Sequence, residues 1–185
     1  MVAAVPRPRL FHFSDDPAIR VFSPQPVRVP SERGPGKGWL NGPLVWAVDE
    51  DRQATYLFPR DCPRILLWPT EATTAEDRER WWGTRTCRMI AHVEWDWMRR
   101  LQTASIFRYE LPPDTFTALD DTWMWVSRDP VTPIAVDRYD DLLGALAAQD
   151  VELRIMSDLT PLRGVWDTTL HASGIRLRNA RGWNS

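Results

Sequence analysis

A chain of 185 residues, 43% hydrophobic and 26% charged, with a formal net charge of −2, has the size and balance of one ordinary domain or at most two small ones. Disorder, collagen and coiled coil are excluded by that composition. The near-neutral charge argues against an electrostatic footprint for duplex nucleic acid, and no stretch has the length of a membrane span or of a signal-peptide core, so a cytoplasmic location is expected.

Two biases stand out. Trp occurs 11 times against Phe 6 and Tyr 3. Lys37 is the only lysine, so 22 of the 23 basic residues are arginines, whose planar forks suit carboxylate and phosphate. Cys62 and Cys87 with His12, His92 and His171 match no zinc spacing, and no metal is expected.

In chain order, Arg9–Phe13 reads as a strand ended by the turn formers Ser14, Asp15, Asp16 and Pro17. A proline- and glycine-rich loop over about 22–43 has the length of a binding or lid segment. Leu44–Val48 reads as a buried strand, and Asp49 caps a short helix running to about Phe58. Ile65–Trp68 is a third strand, and Thr73 with Glu76 has capping-box spacing for a helix that ends near Gly83. Arg88–Val93 alternates as a strand, followed by a helix over Trp95–Leu101 and strands at Ser105–Leu111, Thr122–Val126 and Val131–Val136. Pro133 marks the last of these as an edge or a bulge. Asp141–Gln149 is a helix, Val151–Met156 a strand, Leu162–Ala172 a last helix, and Ile175–Asn179 is extended. About eight strands among four or five short helices predict a single α+β domain around one mixed or antiparallel sheet.

Alternation puts Leu10, His12 and Ser14 on one face of the first strand and Phe11 and Phe13 on the other. A histidine and a serine two apart at a strand end can hydrogen-bond a ribose or carboxyl group, with Arg9 on a phosphate; a core histidine bonded to a backbone carbonyl is the structural alternative. The segment Asp49–Arg64 concentrates Tyr56, Arg60, Asp61, Cys62 and Arg64. Tyr56 and Arg60, one helical turn apart, could face a ligand together. Cys62 between two arginines could become a nucleophile, but no histidine is adjacent to serve as its base. The pairs Asp49/Asp51, Asp120/Asp121 and Asp140/Asp141 lie at helix starts or turns, where acids cap. Trp123 and Trp125 share a strand face with Ser127 and could stack a base, or form core. The run from Thr168 to Ser185 carries Arg176, Arg178 and Arg181 with no acid, a basic patch that could meet an anion.

The strings RLFHFSDDP, GPLVWAVDE, YLFPRDCPRILLWP, YELPPDTF and GIRLRNA resemble a bacterial family of small proteins classed as a domain of unknown function, over about the whole chain. The arrangement of a strand ending in His-x-Ser, a second strand with an aromatic and an Asp-Glu end, and a late aromatic-x-Ser strand followed by Pro-Val-x-Pro is similar to ADP-ribosyltransferase-like domains. That resemblance implies NAD as substrate, with His12 on its ribose as the catalytic position and Trp46 or Tyr56 on the nicotinamide. The family's late-strand glutamate is replaced by Met124. The resulting expectation is a transferase-type site that binds NAD or a related nucleotide through His12, Arg9, Ser14, Trp46, Tyr56, Arg60 and Ser127. The competing expectation is a non-enzymatic binding or regulatory module that meets a protein partner with a Trp/Arg-rich surface.

Overall fold

A computed structural model of the protein describes residues 8–119 and 123–184. In chain order its strands are β1 (Leu10–Ser14), β2 (Val45–Asp49), β3 (Arg64–Trp68), β4 (Met89–Glu94), β5 (Ile106–Leu111), β6 (Thr117–Ala118), β7 (Met124–Ser127), β8 (Ala135–Tyr139), β9 (Val151–Met156) and β10 (His171–Ile175). The α-helices are short: α1 (Ala75–Asp77), α2 (Met98–Thr103) and α3 (Leu142–Ala148). The fold is α+β, as the sequence predicts, but its strands divide between two sheets, ordered β6-β7-β2-β1-β5-β8 and β10-β3-β4-β9. The chain forms two compact units, Met1–Gln53 with Ile106–Arg138 and Ala54–Ser105 with Tyr139–Ser185.

The first unit is built on β1, which pairs antiparallel with β2 on one side and β5 on the other. One face of this sheet buries Leu10, Val45, Ala47, Tyr109 and Leu111 with Phe22, Phe116 and Val131. Each of the larger aliphatic and phenylalanine side chains among them contributes roughly 1.5–3 kcal/mol by leaving water. The opposite face gathers Leu40, Leu44 and Val126, with Trp46 against them. The proline-rich loop is tied down by bridges from Phe22 to Val131 and from Gln25 to Leu44, and Gly38–Asn41 forms a 3-10 turn.

The second unit is built on β3 and β4, buried along their whole length on both faces. That is why ILLW reads as a continuous apolar run, whereas Arg88–Val93, read as alternating, is buried on both faces from Met89 to Val93. β3 pairs antiparallel with β4 and β10, whereas β4 and β9 run parallel. Asp141 caps α3 by accepting the Gly144 N–H at 2.8 Å, and Leu142 and Leu146 bury its inner face.

Several elements differ from their sequence reading. The helix expected from Asp49 to Phe58 is only a 3-10 turn at Gln53–Tyr56, because Asp49 caps the preceding turn through the Arg52 N–H and Pro59 follows closely. The cap near residue 73 is Thr74, which accepts from the Asp77 N–H; Thr73 instead donates to the Thr169 carbonyl. After α1 the chain widens into a π turn over Arg78–Trp82, closed by Gly83 at φ 66°. The late strand starts only at Ala135, beyond Pro133. The last helix is a 3-10 segment, Thr160–Asp167, and β10 begins at His171, whose ring stacks on Trp68 at 4.2 Å. Ile175–Asn179 ends not extended but in a 3-10 turn at Leu177–Asn179, entered through Arg176 in left-handed backbone at φ 58°. The pair Asp120/Asp121 and Thr122 lie outside the described residues.

Candidate functional site

The sequence-predicted positions divide between the two units. In the first, His12 lies on the Tyr109 side of the sheet, its ring 4.7 Å from that of Phe22 and its Nδ1 2.8 Å from the Trp46 carbonyl oxygen. A carbonyl only accepts, so Nδ1 carries the proton and donates. The Trp46 indole points to the other face: Phe11 pairs with Val48, so Trp46 shares its face with Phe13 rather than with His12. Arg9 is held by a bidentate pair with Glu110 and a further contact to Glu50, and these acids keep its pKa raised. The Ser14 hydroxyl accepts the Asp16 N–H, and the Ser127 hydroxyl donates to Thr115 while accepting the Asp129 N–H, so both close local turns. Trp123, at φ 56°, precedes β7 and lies under the Arg52 guanidinium at 4.7 Å, whereas Trp125 packs on the main core face.

In the second unit the sheet brings together two segments that the sequence marks separately. β3 begins where β4 and β10 end, since Arg64 pairs with Val93 on one side and Ile175 on the other. Hence the Tyr56–Arg64 segment and the basic C-terminal patch meet at one end of the sheet. Strand alternation puts Arg64 on the face of Leu66 and Trp68, and its residue is only 2% exposed. Its Nε donates to the Thr55 carbonyl and its Nη1 to the Cys62 carbonyl, both at 2.9 Å. Its guanidinium lies over the rings of Phe58 at 4.9 Å and Tyr56 at 5.6 Å. Among the described residues no carboxylate pairs with it, and burial pulls its pKa down to about 10.

Two further arginines, Arg176 and Arg60, stand at the same end of the sheet, with the carboxylates of Asp61 and Glu94 beside the segment. Arg176 is also lowered, by burial first and then by Arg178, with Arg60 adding to the repulsion. Its Nε donates to the Arg60 carbonyl at 3.3 Å and stands 3.9 Å from Asp61 Oδ1, a loose contact beside an exposed carboxylate. Asn179 donates to the Asp61 carbonyl and so straps the turn before β3 to the C-terminal segment. Two neighbours are chemically quiet. Burial pushes the Cys62 thiol up to about 12, against the pull of Arg64, which removes it as a nucleophile near neutral pH. Burial likewise raises Tyr56, which therefore stays a neutral phenol.

The site thus offers guanidinium forks and a phenol at the ends of strands, a set that recognises planar or tetrahedral anions. Of the sequence-predicted positions, the sheet brings Tyr56 and Arg60 to this end with Arg64 and Arg176, while His12, Arg9, Ser14, Trp46 and Ser127 belong to the other unit. Comparison with curated proteins gives no match, and comparison with solved structures gives none. The model of a family of unknown function (DUF6886) matches residues 11–180, nearly the whole chain, so the protein belongs to that family.

Proposed function

We propose that the protein binds a small anionic ligand, carrying a phosphate or carboxylate group, at the arginine cluster of Arg64, Arg176 and Arg60. The observation that supports this reading most is Arg64: a guanidinium almost wholly removed from water, with two carbonyl partners and no carboxylate among the described residues. A buried charge left uncompensated costs several kcal/mol, and in proteins such charges are normally paired. An anion would supply the missing partner and would also relieve the repulsion between Arg64 and Arg176. The NAD implied by the ADP-ribosyltransferase resemblance carries such phosphates and falls within this ligand class.

The test is calorimetric and thermal titration of the full chain with inorganic phosphate, ADP-ribose and NAD. Thermal stability should rise with ligand, by about 1.4 kcal/mol at ten times Kd. Arg176→Ala, at a position more exposed than Arg64, should weaken binding by about fivefold or more without loss of the fold. Absence of heat and of any thermal shift with all three ligands would overturn the reading.

A further inference from the structure

We infer that the anion bound at this end of the sheet is the phosphate of a nucleoside phosphate whose base lies on the indole of Trp95; this rests on the anion reading above. Trp95 is 62% exposed, more than any other tryptophan among the described residues. It is also the one tryptophan with no ring, cation or hydrogen-bond partner there. Elsewhere the indoles are covered: Trp97 by Arg100 at 4.8 Å, Trp39 by Arg128 at 5.1 Å, Trp183 by Arg163 at 5.3 Å, and Trp68 by His171. An indole face left open to water in a protein that covers its others is a surface suited to a flat aromatic ligand.

Its position matches the arginine cluster. Arg64 pairs with Val93, and Trp95 follows two residues later at the head of the turn after β4. The backbone is extended through Glu94, so Trp95 lies about 7 Å along the chain from the residue that faces Arg64. The segment is braced as well. The Arg181 N–H donates to Glu94 Oε1 at 2.9 Å, and the Arg181 guanidinium donates to Asp96 Oδ2 at 2.6 Å, so both neighbours of Trp95 are held by one residue of the basic segment. Asp96 thereby spends its charge on the Arg181 guanidinium and Glu94 accepts the Arg181 backbone N–H, while the one carboxylate near Arg176 among the described residues is Asp61, in loose contact. Base stacking on an aromatic side chain is tolerant of base identity, so the class is nucleoside phosphates rather than one base.

The experiment compares AMP, inorganic phosphate and adenosine by calorimetry on the wild type, Trp95→Ala and Arg176→Ala, with thermal melts to establish that each variant is folded. AMP should bind about tenfold more tightly than phosphate, within the range of one stacked base. Trp95→Ala should remove that advantage and leave phosphate affinity within about twofold. Arg176→Ala should weaken AMP and phosphate alike. If AMP binds no better than phosphate, or Trp95→Ala leaves AMP affinity unchanged, the base-stacking inference is overturned while the anion reading stands. If neither AMP nor phosphate binds the wild type, both are overturned.

Discussion

His92 makes the stability of the second unit depend on pH in a calculable way. It sits in the middle of β4, buried, with Nδ1 3.2 Å from the Ile65 carbonyl on the neighbouring strand, to which it must donate. Burial lowers its pKa to about 4, and Arg154, its register partner on β9, pushes the same way. An unfolded chain takes up this proton near pH 6.5, whereas the folded chain refuses it until about pH 4. The stabilisation is therefore complete above the unfolded value and is lost as pH falls through that window. The full gap corresponds to about 3 kcal/mol, and about 2 kcal/mol of it should be gone by pH 5. Urea denaturation at intervals from pH 7 to pH 5, on wild type and His92→Gln, isolates the term. Glu110, Glu152, Asp77 and Asp158 are held low by their partners, so their losses begin only below this range. Parallel pH profiles for wild type and variant between pH 7 and pH 5 would refute the reasoning.

Two further outcomes follow from local geometry. Cys62, buried with its thiol pushed up to about 12, should resist iodoacetamide at pH 8 in the native state and label only on denaturation, while the half-buried Cys87 labels first; peptide mapping by mass spectrometry reads the order. Gly174→Ala should cost about 1–2 kcal/mol in urea midpoint, because an added Cβ would stand 2.5 Å from Leu177 Cδ1 and 2.8 Å from Trp166 Cζ2, and its near-ultraviolet circular dichroism should change as Trp166 shifts against Trp183.

What could be read from the sequence was what is encoded locally. Val151–Met156 and the helix capped by Asp141 are found where pattern and capping residues put them, because alternation and an N-cap act within a few residues. β10 was hidden for the opposite reason. HASGI has little strand propensity, and it is extended because it completes β3 across a long separation in sequence. The division into two sheets is hidden in the same way, since no local signal states which strand a given strand will meet. The site followed this pattern. Tyr56, Arg60, Arg64 and Arg176 all attract attention as residue types, but only the pairing of Arg64 with Ile175 brings their two segments together. The depth of Arg64 is not legible because the apolar run begins at Ile65, and an arginine in the turn before it ordinarily reads as solvated. Its place on the Leu66 and Trp68 face was the available clue.

The interleaving of the chain between its two units also bears on how the protein can be made and taken apart. Neither unit corresponds to one uninterrupted stretch: the path changes unit after Gln53, after Ser105 and after Arg138. During synthesis Leu10 must wait for Leu111 to emerge before β1 gains its second neighbour, and Arg64 must wait for Ile175. Both sheets are therefore closed late, by strands distant in sequence, which slows folding relative to a protein of local contacts. A simple truncation at any of the three crossings removes strands from both sheets or strands one without its partner, so neither unit can be expressed as a single cut segment; joining its two pieces by a new linker would be required.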